Sequence, residues 1–175
     1  MAESSNDFGL VDGVGAEAIG QPGQRTFRLI ARSRDQYASL WLEKEQLTAL
    51  GTALQQQIVR LGRPASRERG APLMSGAEVP AHADVEFRCG QIGLGYDERR
   101  TEFVVLAYTT EAEANDEAAW TGRLTLAQAR ALSHEIEETV NAGRPKCPLC
   151  GQITDSAGGH VCPRSNGHAK ELSNG

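Results

Sequence analysis

The chain has 175 residues, enough for one ordinary domain or two small ones with a hydrophobic core and a short appendage. A formal net charge of −5 and a pI near 5.4 argue against a protein that coats nucleic acid, because neutralising phosphates requires a surplus of Lys and Arg. No basic segment followed by an apolar one opens the chain, and no stretch approaches the roughly 18 apolar residues of a membrane span, so we expect a soluble, cytoplasmic protein.

The first half of the predicted fold, residues 8–61, consists of strands followed by a helix. A Gly-rich strand over 8–19 leads into a type II turn, in which Pro22 and Gly23 take the two central positions. Alternating apolar residues predict strands over 26–32 and 37–42. Apolar residues at three- and four-residue steps then predict an amphipathic helix, on Leu47, Leu50, Leu54, Ile58 and Leu61.

The second half, residues 84–143, repeats this order after a break. Residues 62–83 carry Gly, Pro, Ala and Ser without a usable period and are predicted to be a flexible linker outside the sheet. Strands are predicted over 85–95, 101–109 and 118–124, followed by a helix on Ala129, Leu132, Ile136 and Val140. Short polar turns argue against parallel β-α-β units. We therefore expect an α+β domain of two strand-strand-strand-helix halves, which form a mainly antiparallel sheet against which both helices pack.

The two halves also match residue by residue. Most matched positions lie 82 apart: Leu42 with Leu124, Gln46 with Gln128, Leu47 with Ala129, Leu50 with Leu132, Leu54 with Ile136, and Ile58 with Val140. Phe27 matches Phe103 at a spacing of 76, because the second half has a longer acidic turn over 111–117. Two amphipathic helices also align by chance on their shared period, so an internal repeat is a prediction that rests on the strands as well.

The tail, residues 144–168, carries the pattern of a structural zinc site. Cys147 and Cys150 form a Cys-Pro-x-Cys-Gly turn that directs both sulfurs to one point, and His160 and Cys162 supply two more ligands from across a short loop. His168 is an alternative fourth ligand. Four protein ligands leave no position for water, so the zinc would be structural and would fold this small, zinc-ribbon-like segment.

Other motifs favour ordinary structural roles. The Gly-x-Gly-x-x-Ala pattern that begins at Gly13 lacks the helix that would hold a phosphate. His134 begins a His-Glu-x-x-Glu sequence in which the second metal-binding His is missing, and Cys89 has no neighbouring base. The sequence therefore predicts no catalytic residue. Basic residues give the tail a local positive charge, on Arg144, Lys146, Arg164 and Lys170.

The chain resembles an uncharacterised actinobacterial family, domain of unknown function 3090. The resemblance covers nearly the whole chain and rests on four motifs, at 20–27, 42–46, 124–130 and 147–167; the last ends in Cys-Pro-Arg-x-Asn-Gly. The family has no established activity. Its pattern keeps Gly-His-x-Cys-Pro, which favours His160 over His168 as the fourth ligand. Its genes tend to lie near a lipid-kinase-like and a histidine-phosphatase-like protein, which implies a shared process.

These patterns predict a non-catalytic zinc-binding protein, a protein-interaction or adaptor module whose partner is another protein. One alternative is an enzyme or enzyme subunit that acts on a phosphorylated small molecule at the cleft between the halves. Another is nucleic-acid binding through the basic tail, which would show a steep salt dependence. The sequence leaves the oligomeric state open.

Overall fold

The computed structural model describes residues 6–62, 72–114, 116–142, 147 and 149–151. The chain divides into two units, Met1–Val140 and Asn141–Gly175. The first unit contains the sheet and nearly all of the helical residues. In the second, the described residues include Cys147 and Cys150, while His160, Cys162 and His168 lie outside the described part of the chain.

Seven strands and two helices build the first unit, and they confirm the predicted α+β class. The strands are β1 (Asp7–Leu10), β2 (Gly13–Ile19), β3 (Thr26–Ser33), β4 (Gln36–Leu42), β5 (Val85–Asp97), β6 (Glu102–Thr109) and β7 (Trp120–Leu124). The helices are α1 (Lys44–Arg60) and α2 (Leu126–Asn141). The predicted type II turn joins β2 to β3: Gly23 has a φ of +89°, and the Gln24 amide donates to the Gln21 carbonyl at 2.9 Å. Neither described helix is long and apolar enough to cross a membrane.

The sheet order is β1-β7-β6-β5-β4-β3-β2, and most neighbouring strands are antiparallel. Two pairs are parallel, β4 with β5 and β1 with β7. The argument against parallel β-α-β units was therefore wrong at β4 and β5. Each antiparallel set of three strands ends in a helix, and the crossover through α1 is long enough to place the next strand parallel to the last one.

The two ends of this strand order are joined by the chain itself. β1 and β2 are separated only by Val11 and Asp12, so the predicted first strand is one strand with a bend. The Val11 amide donates to the Arg123 carbonyl of β7 at 3.0 Å, and the Asp12 amide donates to the Arg32 carbonyl of β3 at 2.8 Å. β5 is shared in the same way, because its first residues pair with β4 and its later residues with β6. The strands therefore form a closed ring, in which each half contributes one long bent strand.

Strand pairing is similar in the two halves. Phe27 faces Leu42 as Phe103 faces Leu124, and Gly15 faces Ile30 as Gly93 faces Leu106. Register is set independently of helical period, so chance alignment of two amphipathic helices cannot produce this agreement.

Gln46 and Gln128 hold equivalent positions at the start of α1 and α2. Each side-chain oxygen accepts a bond from the backbone amide three residues earlier, at 2.8 and 2.9 Å, which caps the helix. Each side-chain nitrogen donates to a carbonyl at the bend of the other half's long strand: Gln46 to Gly90 at 2.9 Å and Gln128 to Val11 at 2.8 Å. The repeated glutamine therefore fixes each helix to the opposite half.

Part of the predicted linker is packed against the sheet. Met74 is buried, and its amide donates to the Val14 carbonyl of β2 at 2.9 Å. A 3₁₀ turn follows at Gly76–Glu78. A Cβ atom added at Gly15 would lie 2.0 Å from the Met74 carbonyl oxygen, so the absence of a side chain at Gly15 permits this contact. Residues 72–79, which we call the covering segment, thus lie across the outer surface of the first half.

Candidate functional site

Cys147 and Cys150 form the described part of the predicted metal site. The Gly151 amide donates to the Cys147 carbonyl at 2.8 Å, and Gly151 has a φ of +72°. A Cys-x-x-Cys turn of this kind is common among zinc ligands. The Cys147 side chain is buried and that of Cys150 is partly exposed.

The remaining predicted ligands, His160 and Cys162, fall outside the described residues, as do His168 and the basic residues Arg144, Lys146, Arg164 and Lys170. Within the described ranges, no group of three or more His, Cys, Asp or Glu side chains is placed to hold a metal. A metal site in this protein would therefore depend on the tail. Cys147 and Cys150 are chemically suited to zinc, because thiolates are among its preferred ligands.

The motifs that were set aside from sequence occupy ordinary structural positions. Cys89 is buried on β5, and burial raises the pKa of its thiol to about 12, so it is a poor nucleophile near neutral pH. His134 and Glu138 are both exposed on α2, with 3.7 Å between Nδ1 and Oε2. Gly13 begins a strand instead of a phosphate-binding turn.

Glu135 is a partly buried carboxylate for which the sequence predicted no contact. Its Oε2 accepts a bond from the Ala16 amide of β2 at 2.7 Å, and the Thr139 hydroxyl donates to the Ala16 carbonyl at 3.4 Å. Burial raises the pKa of Glu135, the bond from Ala16 opposes that rise, and the charges of Glu17 and Glu138 add to it. These contacts satisfy the free edge of β2 with side chains from α2.

A polar network lies on the outer surface of the first half. Arg28 is paired with Glu17, and its Nη1 donates to the Ser39 hydroxyl at 3.4 Å. The Arg28 guanidinium also lies 5.4 Å from the centre of the Trp41 ring. Trp41 Nε1 in turn donates to Glu86 at 2.9 Å. These side chains are hydrogen-bonded or ion-paired with one another, so a structural role is enough to explain them.

A pocket of about 310 Å³ lies where the end of α1 meets the β5–β6 hairpin and the start of α2. Its lining residues are Leu61, Tyr96, Arg100, Thr101, Glu102, Thr125 and Leu126. Two of its charged groups face partners outside it, Arg100 with Asp97 and Glu102 with Arg123, each at 3.9 Å. Its lining residues come from both halves.

Comparison with known proteins gives one family match. The profile of a family described as "Protein of unknown function (DUF3090)" matches residues 6–162, a range that includes both halves and the tail through Cys162. No curated protein and no solved structure matches the chain.

Proposed function

Because the chain belongs to the DUF3090 family, whose description assigns no activity, we propose its function from its own residues: a non-catalytic zinc-binding protein that recognises a partner protein. Zinc would be held by Cys147, Cys150, His160 and Cys162 in a closed site that keeps the tail folded. The observation that carries the proposal is the Cys147–Cys150 turn, closed by the Gly151 amide.

The role of an adaptor is supported by the way the two halves are built. Polar groups of the first half are used in contacts that hold the fold, such as the Arg28 network and the amide of Ala16, which donates to Glu135 of the second half. In the second half, Val104, Leu106 and Tyr108 of β6 are partly exposed and do not join the hydrophobic core of the described residues. A rigid domain with a metal-folded tail is suited to presenting a fixed surface to a protein.

The proposal is tested by using the full chain as bait and identifying the proteins that copurify with it. We expect a defined set that is retained by the wild-type chain and lost when Cys147 and Cys150 are both replaced by Ser. Cys89→Ala is the matched control, since it removes a cysteine that is not a predicted ligand. An identical set for the double variant would contradict the link between zinc and partner recognition.

A second candidate follows from the pocket at the start of α2. Arg100 and Thr125, at the N-terminus of α2, both line this pocket, and both a guanidinium and a helix N-terminus favour anions, so a phosphorylated small molecule is the ligand class that it would suit. Isothermal titration with inorganic phosphate and sugar phosphates tests it. Binding that is lost in Arg100→Glu supports the candidate, and the absence of heat at about 10 mM ligand contradicts it.

A further inference from the structure

Where β5 pairs with β6, the outer surface of the second half is apolar, with Arg123 of β7 at its border, whereas the equivalent strand of the first half carries Arg28 and Arg32. We call this apolar surface the β6 face and define it by Gly93, Gly95, Val104, Leu106 and Tyr108. Its three side chains on β6 are partly exposed and do not belong to the hydrophobic core. A strand that is apolar on both faces is typical of one covered on both sides.

The first half shows how its equivalent surface is covered. Ile30, the counterpart of Leu106, is fully buried. The covering segment lies over it: a Cβ at Gly15 would meet the Met74 carbonyl carbon at 3.1 Å and Ile30 Cγ1 at 3.4 Å. Gly15 therefore marks a position where a second backbone approaches the sheet closely.

Gly93 occupies the register position of Gly15 but has no such neighbour. Among the atoms of the described residues, a Cβ added there would meet only Leu106 Cδ1, at 4.0 Å. Leu106 is partly exposed, whereas Ile30 is fully buried. The second half therefore keeps the glycine that permits close approach, and the approaching segment is missing from the part of the chain that the structure describes.

The backbone edge of β5 also has fewer described contacts than the equivalent edge of β2. Leu94 corresponds to Ala16, and the alternation of an antiparallel ladder turns its amide and carbonyl away from β6. In the described residues no hydrogen bond outside that ladder reaches Leu94. The position on α1 equivalent to Glu135 is Ala53, which has no side-chain acceptor for the amide.

A groove of about 170 Å³ lies at this edge, between α1 and β5. Its lining residues are Ala53, Gln56, Gln57, Arg60, Leu94, Gly95 and Tyr96. Free backbone groups beside an apolar surface are the features that an added strand uses: main-chain bonds provide affinity, and alternate side chains provide selectivity.

We propose that the edge of β5 and the β6 face bind an extended, apolar segment of a partner protein in the manner in which the first half binds its covering segment. The segment donates a backbone amide to the Ile92 carbonyl, the counterpart of Val14, and places a Met- or Leu-sized side chain near Gly93 and Leu106. This inference rests on the proposed function, since it names the surface on which the partner lies.

The probe is a synthetic peptide with the sequence of residues 72–79, Pro-Leu-Met-Ser-Gly-Ala-Glu-Val. Titrated into the ¹⁵N-labelled full chain, it should shift amide resonances of 92–96 and 104–108, with a dissociation constant below about 1 mM. Gly93→Val places a side chain in the path of the peptide and should weaken binding at least about tenfold. Thr26→Val, at an exposed position on β3, is the matched control and should bind like the wild type.

Thermal unfolding of Gly93→Val serves as the folding control, since Val at a strand position with open space should preserve stability. Absence of shifts at these strands, or equal binding by Gly93→Val, would overturn the proposal. A concentration-dependent dimer that protects the amides of 92–96 and 104–108 from hydrogen exchange would also overturn the proposal, because a second copy of this chain would then occupy the surface. Any of these results leaves the Cys147-dependent capture of partners untouched, so failure of the two proposals can be told apart.

Discussion

Gly15→Ala is expected to release the covering segment from the first half. The added Cβ would lie 2.0 Å from the Met74 carbonyl oxygen, a distance that neither backbone can accommodate without moving. Exposing the Met74 side chain costs about 1.5–3 kcal/mol. Losing its amide bond to Val14 costs about 1 kcal/mol more. After a gain of about 0.5–1 kcal/mol for replacing Gly in a strand, the free energy of unfolding should fall by about 1.5–3.5 kcal/mol.

The matched variant is Gly93→Ala, at the same register position of the second half. Its Cβ meets no atom of the described residues closer than 4.0 Å, so its free energy of unfolding should stay equal or rise by up to about 1 kcal/mol. Urea unfolding followed by circular dichroism measures both values under the same conditions. Equal destabilisation by the two substitutions would refute the claim that the two glycines face different surroundings.

Three further substitutions probe other contacts. Gln128→Leu should lower the free energy of unfolding by about 2 kcal/mol, because the carbonyl of Val11, which loses its bond, is buried. Gln46→Leu should lower it by less, because the carbonyl of Gly90 is exposed. Equal losses in urea unfolding would contradict this expectation. The pKa of Glu135 is raised in the folded protein. At pH values between the ordinary pKa of a Glu and this raised pKa, the folded protein therefore binds more protons than the unfolded chain. The free energy of unfolding should fall as the pH rises through that interval. Glu135→Gln should make the free energy of unfolding less dependent on pH in this interval. An unchanged dependence would show that Glu135 is not its source. Gly51→Ala places a Cβ 2.7 Å from Ile136 Cγ2, so the contact between α1 and α2 becomes overpacked. The cost of about 1–3 kcal/mol should lower the melting temperature. An unchanged melting temperature would show that the two helices can move apart without cost.

Strand and helix positions could be predicted from the sequence because their periodicity is local. The Pro22–Gly23 turn and the Leu-rich face of α1 are read from neighbouring residues, and the structure has both of them. The spacing of 82 also matches Gln46 with Gln128. Their shared role as helix caps that bind the other half depends on a fold that brings residues more than 40 positions apart into contact, and local patterns carry no such information.

Other features could not be predicted because they depend on tertiary contacts. Composition marked 62–83 as a linker, yet Met74 is buried by a contact that only Gly15 permits. The closed ring requires β1 and β2 to pair with different strands, which a single Gly-rich stretch does not reveal. One signal was present and went unused: β6 is apolar on both faces, which is typical of a strand whose two faces are covered.

X-ray absorption at the zinc edge of the purified full chain tests the central claim most directly. The account predicts one zinc per chain with three sulfur ligands at about 2.3 Å and one nitrogen ligand at about 2.0 Å, from Cys147, Cys150, Cys162 and His160. The nitrogen signal should be lost in His160→Ala and kept in His168→Ala. A purified chain without zinc, or one whose zinc signal is unchanged in Cys147→Ser, would contradict the account.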